Sequence, residues 1–354
     1  LDQADHLDHS ESHQINIRRR TLQLVFITLA GEHLIKVLEL DADGGLHDRL
    51  EVPMGGGPGP LAFSPDKSVL HVGIRSTNEM ASFGVHDSGE LTEISRIDLE
   101  SDPCFISTDN AGNFLLSAYY EAGHVAVHGI GPNGGVEGPA IEWRATAHRA
   151  HCALTDATNS HVFVPHVDDS NAIFQFNFDE SNGTLTPNSP SKVVPPDGDG
   201  PRHYRYHPSG RFVYFDNEQG SSVTGYHLSA SDGTLSPFQT VSTLPDGFAD
   251  DNSCAQIHMS EDGRFLYASN RGHHSIAMFE IDGETGALTS LGQQSAPPTP
   301  RAFAIDNSQQ FMLVGGLDEG ELATYSRDLN SGLLTYVGTR DIGDQPMYFL
   351  FKNV

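Results

Sequence analysis

Short apolar runs separated by polar turns fill almost the whole chain, and the pattern repeats. An apolar strand, a polar turn and a second apolar strand occur as AFSPDKSVLHVG (62–73), ISTDNAGNFLLSA (106–118) and ALTDATNSHVFVP (153–165). They return as YHPSGRFVYFDN (206–217), HMSEDGRFLYASN (258–270) and IDNSQQFMLVGG (305–316). Alternation of apolar and polar positions around a turn predicts β-hairpins. An alternating third segment follows each hairpin: MASFGV (80–85), HVAVHGI (124–130), AIFQFNF (172–178), SVTGYHL (222–228), SIAMFEI (275–281) and LATYSRD (322–328). A Gly-x-Leu or Gly-x-Val turn then leads into a shorter fourth strand. Its glycines are Gly44, Gly89, Gly134, Gly183, Gly233, Gly286 and Gly332, at steps of 45, 45, 49, 50, 53 and 46 residues.

Four strands in roughly 48 residues is the size of a propeller blade. Helical repeats would show a 3.6-residue apolar period, which is absent. Six hairpins against seven glycine turns imply one split blade. MYFLF (347–351) reads as an innermost strand without a following partner, and LQLVFIT (22–28) as a second strand without a preceding one. Pairing them closes the ring and removes two sheet edges. The expected fold is therefore all-β: a seven-bladed β-propeller over 21–354, with four-stranded antiparallel blades and the last blade closed by both termini. Propeller classes that rely on tryptophan motifs are excluded, because Trp143 is the only Trp.

The hairpin Gly200–Glu218, GPRHYRYHPSGRFVYFDNE, carries charge at both open ends, Arg202 and Glu218. Antiparallel pairing brings those ends together. Overlaying the blades takes Asp66, Asp109, Asp156, Ser209, Asp262 and Ser308 as equivalent turn residues. Nine residues later stand Arg75, Ala118, Pro165, Glu218, Arg271 and Leu317; seven residues earlier stand Gly59, Asp102, Arg149, Arg202, Ala255 and Arg301. Innermost strands line a central channel, so these positions converge on one mouth. His151 lies two residues beyond the Arg149 position and faces the same side. His203, next to Arg202, is expected to point away from it. The structural alternative is a cross-strand ion pair of Arg202 and Glu218, about 0–1 kcal/mol if exposed.

Composition sharpens this picture. Acidic residues outnumber Lys plus Arg by 47 to 20, a net charge of -27. Such a surface repels nucleic acid and anionic lipid, and fits a salty habitat. A cationic cluster inside so acidic a chain points to a small anionic ligand. Cys104, Cys152 and Cys254 are far apart and read as buried thiols rather than a metal site or disulfide scaffold. Cys152, beside His151, is read against as a nucleophile because adjacent strand residues face opposite ways. No HxH or HExxH pattern supports a metal, with only the His148/His151 spacing left to suggest one, and no cofactor is expected. Residues 1–20 read as a flexible arm. Arg18-Arg19-Arg20 before Leu22–Ala30 imitates a secretory leader, yet the repeat count requires Leu22–Thr28 as a strand. No apolar run is long enough to span a bilayer. A cytoplasmic location is expected, with periplasm or secretion left open, and a monomer or weak homo-oligomer.

The phrases GPRHYRYHPSGRFVYFDNEQGSSV (200–223), SEDGRFLYASNRGHHSIAMFEID (260–282) and PRAFAIDNSQQFMLVGG (300–316) resemble the seven-bladed-propeller lactonases. FSPDKSVLHVG (63–73) and QPMYFLF (345–351) extend the resemblance over nearly the whole chain. That family includes bacterial 6-phosphogluconolactonases and fungal 3-carboxy-cis,cis-muconate cyclase. The resemblance implies a His, two Arg and a Glu at the channel mouth: His151 in AHCAL, Arg202 in GPRH, Glu218 in DNE and Arg271 in SNR. The segment 144–160 around His151 departs most from the family spacing. The blade overlay selects the same four residues as catalytic, with His203, Arg301 and Arg149 as substrate-binding residues. The implied reaction is hydrolysis of a sugar-acid lactone by base-activated water, with guanidinium groups holding the oxyanion. A muconate-type lactonising cyclase and a non-catalytic binding propeller are the alternatives.

Overall fold

The computed structural model describes residues 22–354; the arm expected at 1–20 lies outside them. Seven four-stranded antiparallel sheets form the ring. Blades 1 to 6 begin with innermost strands Pro58–Phe63, Pro103–Thr108, Leu154–Thr155, Pro201–Tyr206, Cys254–Met259 and Pro300–Ile305. Blade 7 joins Pro346–Asn353 to Gln23–Leu29, with Phe351 opposite Val25 and Phe349 opposite Ile27. The two chain ends thus share one blade, as the repeat count implied.

The repeating glycine turn has a physical cause. All seven glycines adopt positive φ, from 66° at Gly233 to 91° at Gly89, a region that L side chains avoid. Six of them also press on the first residue of the preceding blade's second strand. A Cβ on Gly286 would meet the Phe212 ring, and one on Gly332 would come within 2.3 Å of Phe265. The interface is closed from the other side by tyrosines: Tyr214 donates to the Gly286 carbonyl and Tyr267 to the Gly332 carbonyl, each at 2.7 Å. Gly332→Ala is therefore expected to destabilise the ring by about 1–3 kcal/mol. A denaturant midpoint unchanged from the parent would contradict this.

Blade 3 is the irregular one. Its innermost strand pairs only Leu154 with Phe163 and Thr155 with Val162. The missing ladder contacts are replaced from blade 4. The Tyr204 hydroxyl accepts from Leu154 N at 2.7 Å and lies 2.9 Å from the Phe163 carbonyl. Tyr206 reaches the carbonyls of Leu154 and His161. The aromatic-rich segment of the central hairpin is thus a brace between blades. Tyr204, Phe215, Phe163 and Cys152 share the largest apolar cluster.

The turns correct the sequence overlay. Each hairpin turn has five residues, opening at Ser64, Asp109, Asp156, His207, Ser260 and Asp306, with the same backbone closure in all six. Asp109 and Asp156 hold their turns by accepting backbone N–H bonds from the residues that follow. They are therefore first turn residues, whereas Asp66, Ser209, Asp262 and Ser308 are third. Sliding blades 2 and 3 by two positions places His151, not Arg149, on the Arg202 and Arg301 position. It also places Tyr120, not Ala118, on the Glu218 and Arg271 position.

Candidate active site

Where the innermost strands meet the mouth, each carries one extra residue. The register shifts between Pro201 and Tyr204, Cys254 and Ile257, and Pro300 and Ala302. Blades 1 and 2 shift at the same level, as does blade 7 beside Pro346. In blade 3 an isolated bridge joins Ala150 to His166 ahead of the Leu154–Phe163 pair, which again leaves one residue over. Such a bulge re-aims side chains that strict alternation would send to opposite faces. The bulge residues of successive blades include His151, Arg202 and Arg301.

The bulge explains His203, which was expected to face away from Arg202. Its Nε2 lies 3.5 Å from Arg202 Nη1. Its ring packs edge-on against His151 at 5.1 Å and Phe105 at 5.3 Å. The bulged N–H of His203 donates to Asp216 Oδ1 at 2.7 Å, so the irregular backbone is held from behind by a buried carboxyl.

Glu218 sits between two guanidinium groups. Arg202 Nε donates to its Oε2 at 2.8 Å, and Arg271 Nη2 contacts its Oε1 at 2.9 Å. Arg271 also donates to the Cys254 carbonyl at 2.8 Å, fixing its head. His151, His203, Arg202, Glu218 and Arg271 thus form one contiguous set across blades 3, 4 and 5. Arg202 is almost wholly enclosed, at 1 % exposure, while Arg271 stands more open at the mouth. Arg301 is half-buried and has no carboxylate partner among the described residues. Arg202, Arg75 and Arg271 all lie near enough to act on its charge.

Arg149 is placed differently. Its φ is +66°, which breaks the alternation that would align it with His151. Its guanidinium pairs with Asp168 on the rim. It approaches the central set through Tyr120, lying 5.8 Å from that ring, which also packs on His151 at 5.7 Å and His148 at 6.3 Å. Three neighbours were missed as site residues: Arg75, its partner Asp102 at 3.1 Å, and Tyr120. Arg75 and Asp102 stood in the overlay as charged positions; Tyr120 was hidden by the two-residue slip.

Electrostatics set the protonation states. Burial pushes the Glu218 carboxyl up, but Arg202 and Arg271 together outweigh it and hold it below the usual carboxylate range. Burial, then Arg202 and Arg301, drives His151 well below the usual imidazole range, so the ring is neutral. His203 is likewise neutral, through burial and then Arg202. Burial raises Asp216 to about 6 against the pull of Arg202. The thiols of Cys104, Cys152 and Cys254 are all pushed upward by burial, which leaves them inert. Among the described residues, no group of three or more His, Cys, Asp or Glu side chains is arranged to hold a metal ion.

These shifts predict an acid limit to stability. His151, His203 and His258 are held well below 6.5, and His71 and His166 at about 4. Each stays neutral when folded but takes a proton when unfolded below about pH 6.5. Their contribution is complete above that pH and is lost as pH falls, each at up to about 1.4 kcal/mol per pH unit. Asp216 has the opposite sign, since its raised value adds stability as pH falls from about 6 towards 4. Asp199, also raised by burial, acts in the same sense, and two carboxyls do not offset five imidazoles. The denaturant midpoint should fall by several kcal/mol equivalents between pH 7 and pH 5; a flat profile would contradict the buried neutral histidines.

Comparison with known proteins agrees with the fold. The family described as Lactonase, 7-bladed beta-propeller, matches residues 25–351. A 6-phosphogluconolactonase of Pectobacterium carotovorum is 33 % identical over 327 residues, covering 92 % of this chain and 97 % of its own. A 6-phosphogluconolactonase of Pectobacterium atrosepticum is 32 % identical over 327 residues, with the same coverage. Among solved structures, the periplasmic gluconolactonase of Pseudomonas aeruginosa superposes with a TM-score of 0.87 at 25 % identity, covering 93 % of this chain and 99 % of that one. The chain belongs to the seven-bladed β-propeller lactonase family, a class of carboxylic ester hydrolases. Among the described residues no helix is long and apolar enough to cross a membrane.

Proposed function

We propose that the mouth hydrolyses the lactone of a sugar acid that carries an anionic group, of the 6-phosphogluconolactone type. The observation that carries this reading is charge. Among the described residues Arg75, Arg202, Arg271 and Arg301 stand at the mouth with the carboxylates of Asp102 and Glu218, and with Asp216 behind them. Positive groups still outnumber negative ones there, in a chain of net charge -27. An anionic ligand is drawn to such a cluster of guanidinium groups. The names of the relatives, 6-phosphogluconolactonase and gluconolactonase, support the same reading.

The reaction needs a base for the attacking water and a stabiliser for the tetrahedral oxyanion. Glu218 is a poor base, because protonating it breaks two ion pairs. Its stronger role is to hold Arg202 and Arg271 in place. His151 is neutral, and no hydrogen bond to its ring is present among the described residues, its Nδ1 being buried and unpartnered, which suits the ring to accept the proton of water. A bound anion offsets the arginine charges that depress the ring and so raises its basicity. Arg271 and the tip of Arg202 then hold the oxyanion, and Arg301 receives the carboxylate that forms as the ring C–O bond breaks. The first water proton, taken by His151, passes to the ring oxygen as it leaves, and the carboxylic acid so formed gives its remaining proton to solvent, leaving the carboxylate at Arg301.

A panel of lactones followed by proton release tests this. Release above the uncatalysed rate is expected for glucono-δ-lactone and faster for its 6-phosphate. Rates equal to buffer alone with every lactone would reject hydrolysis.

A further inference from the structure

Below the mouth the channel holds a second cationic group that the lactonase reading leaves idle. Arg205 and His258 occupy equivalent positions of adjacent blades, opposite Tyr214 and Tyr267 in their hairpins. The other blades place Ala62, Ser107 and Ala304 in this layer, and the larger Leu154 and Leu350. Arg205 and His258 are half-buried rather than sealed.

Arg205 donates only to the neighbouring Tyr204 carbonyl, at 2.9 Å, and has no carboxylate partner among the described residues. A guanidinium cannot shed its proton, and a charge enclosed without a counter-charge is costly. Two neutral donors stand by. The His258 ring packs edge-on against Phe303 at 4.7 Å, and no hydrogen bond to its nitrogens is present among the described residues. Tyr348 packs on Phe105 at 6.4 Å, and its hydroxyl likewise has no partner there. Both feel the charge of Arg205, Tyr348 alongside Arg202 and Arg301. A guanidinium, an imidazole N–H and a phenol O–H with free hydrogen-bonding capacity make a receptor for an oxyanion.

Arg202 and Arg205 lie on one strand, three residues apart with the bulge between them. That is roughly 7–10 Å along the channel, comparable with the length of a hexose lactone from its carbonyl to a substituent on its far carbon. Resting on the lactonase reading of the mouth, we propose that Arg205, His258 and Tyr348 form a subsite for an oxyanion at the far end of the sugar lactone. This subsite sets the preference for phosphorylated or carboxylated lactones over neutral ones. The ring is opened at the mouth while its distal anion is held one layer below.

The test compares three lactones: one phosphorylated on the far carbon, one carrying a carboxylate there, and one with neither. The parent protein should favour one of the two anionic substrates over the neutral one in kcat/KM, and which one identifies the oxyanion. In Arg205→Met that preference should fall at least tenfold, mainly through KM, while Arg205→Lys keeps most of it. A preference unchanged in Arg205→Met, or an equal loss on all three substrates, overturns the subsite. Calorimetry with inorganic phosphate separates the two readings. If no lactone is hydrolysed but phosphate binds the parent and not folded Arg205→Met, the lactonase reading falls and the subsite stands. Equal phosphate binding by both, or none by the parent, overturns the subsite. Should Arg205→Met fail to fold, Arg205→Lys and Tyr348→Phe carry the same comparison, Tyr348→Phe being expected to lower the preference about threefold.

Discussion

Arg202→Ala is expected to lower lactone turnover roughly 100-fold or more. The side chain does two things at once. Its Nε holds Glu218 Oε2 at 2.8 Å, and its Nη1 lies beside His203, which packs on His151. Truncation removes one oxyanion donor and frees the carboxylate that positions Arg271. It also leaves Glu218 enclosed with a single partner, so some stability is lost too. Thermal melting and circular dichroism on the same preparation show whether the protein is folded. Arg202→Lys keeps the charge but not the planar fork, and should recover only part of the rate. Near-parental turnover in folded Arg202→Ala would remove this residue from the chemistry.

His151→Gln should cost about 100-fold or more in kcat, the usual range for removing a general base. The pH dependence distinguishes it from its neighbours. With His151 as base, activity falls on the acid side as the ring gains a proton, and the limb lies below pH 6.5 because burial and the arginines depress it. His151→Gln should flatten that limb. Glu218→Gln should also slow the reaction, by misplacing Arg202 and Arg271, yet keep the limb. If Glu218→Gln abolishes the limb and His151→Gln preserves it, the two roles are exchanged. Intrinsic fluorescence recorded at each pH separates this effect from the acid unfolding expected of the buried histidines.

The fold was legible because its constraints are local and repeat seven times. A glycine forced to positive φ and pressed against a neighbouring side chain leaves no room for a Cβ, so Gly44 through Gly332 mark every blade. The split blade followed from apolar runs at the two ends that had no other partner. The mouth was legible in part. Arg202, Glu218 and Arg271 stand where a correctly registered overlay puts them. His151 was selected by both the overlay and the resemblance but assigned a place two residues off, since Asp109 and Asp156 open their turns whereas Asp66 and Asp262 sit third. An aspartate's place in a turn depends on which backbone N–H groups it accepts, and residue type alone does not reveal that.

The bulge was not legible either. One extra residue in each innermost strand leaves the apolar alternation almost intact, yet it turns His203 towards the channel instead of away. Arg149 failed for a related reason: its left-handed backbone sends the side chain to Asp168. Tyr204 and Tyr206 read as ordinary strand aromatics, whereas their hydroxyls complete the ladder of the neighbouring blade. Such contacts between blades have no signature along the chain.

The most direct test of a catalytic mouth is a crystal structure with a gluconate-type product bound. The account expects the carboxylate within hydrogen-bonding distance of Arg271 and Arg301, and its nearest oxygen next to His151. A product bound instead in the outer groove formed by Arg211, Phe212 and Phe238, with the mouth unoccupied, would contradict it.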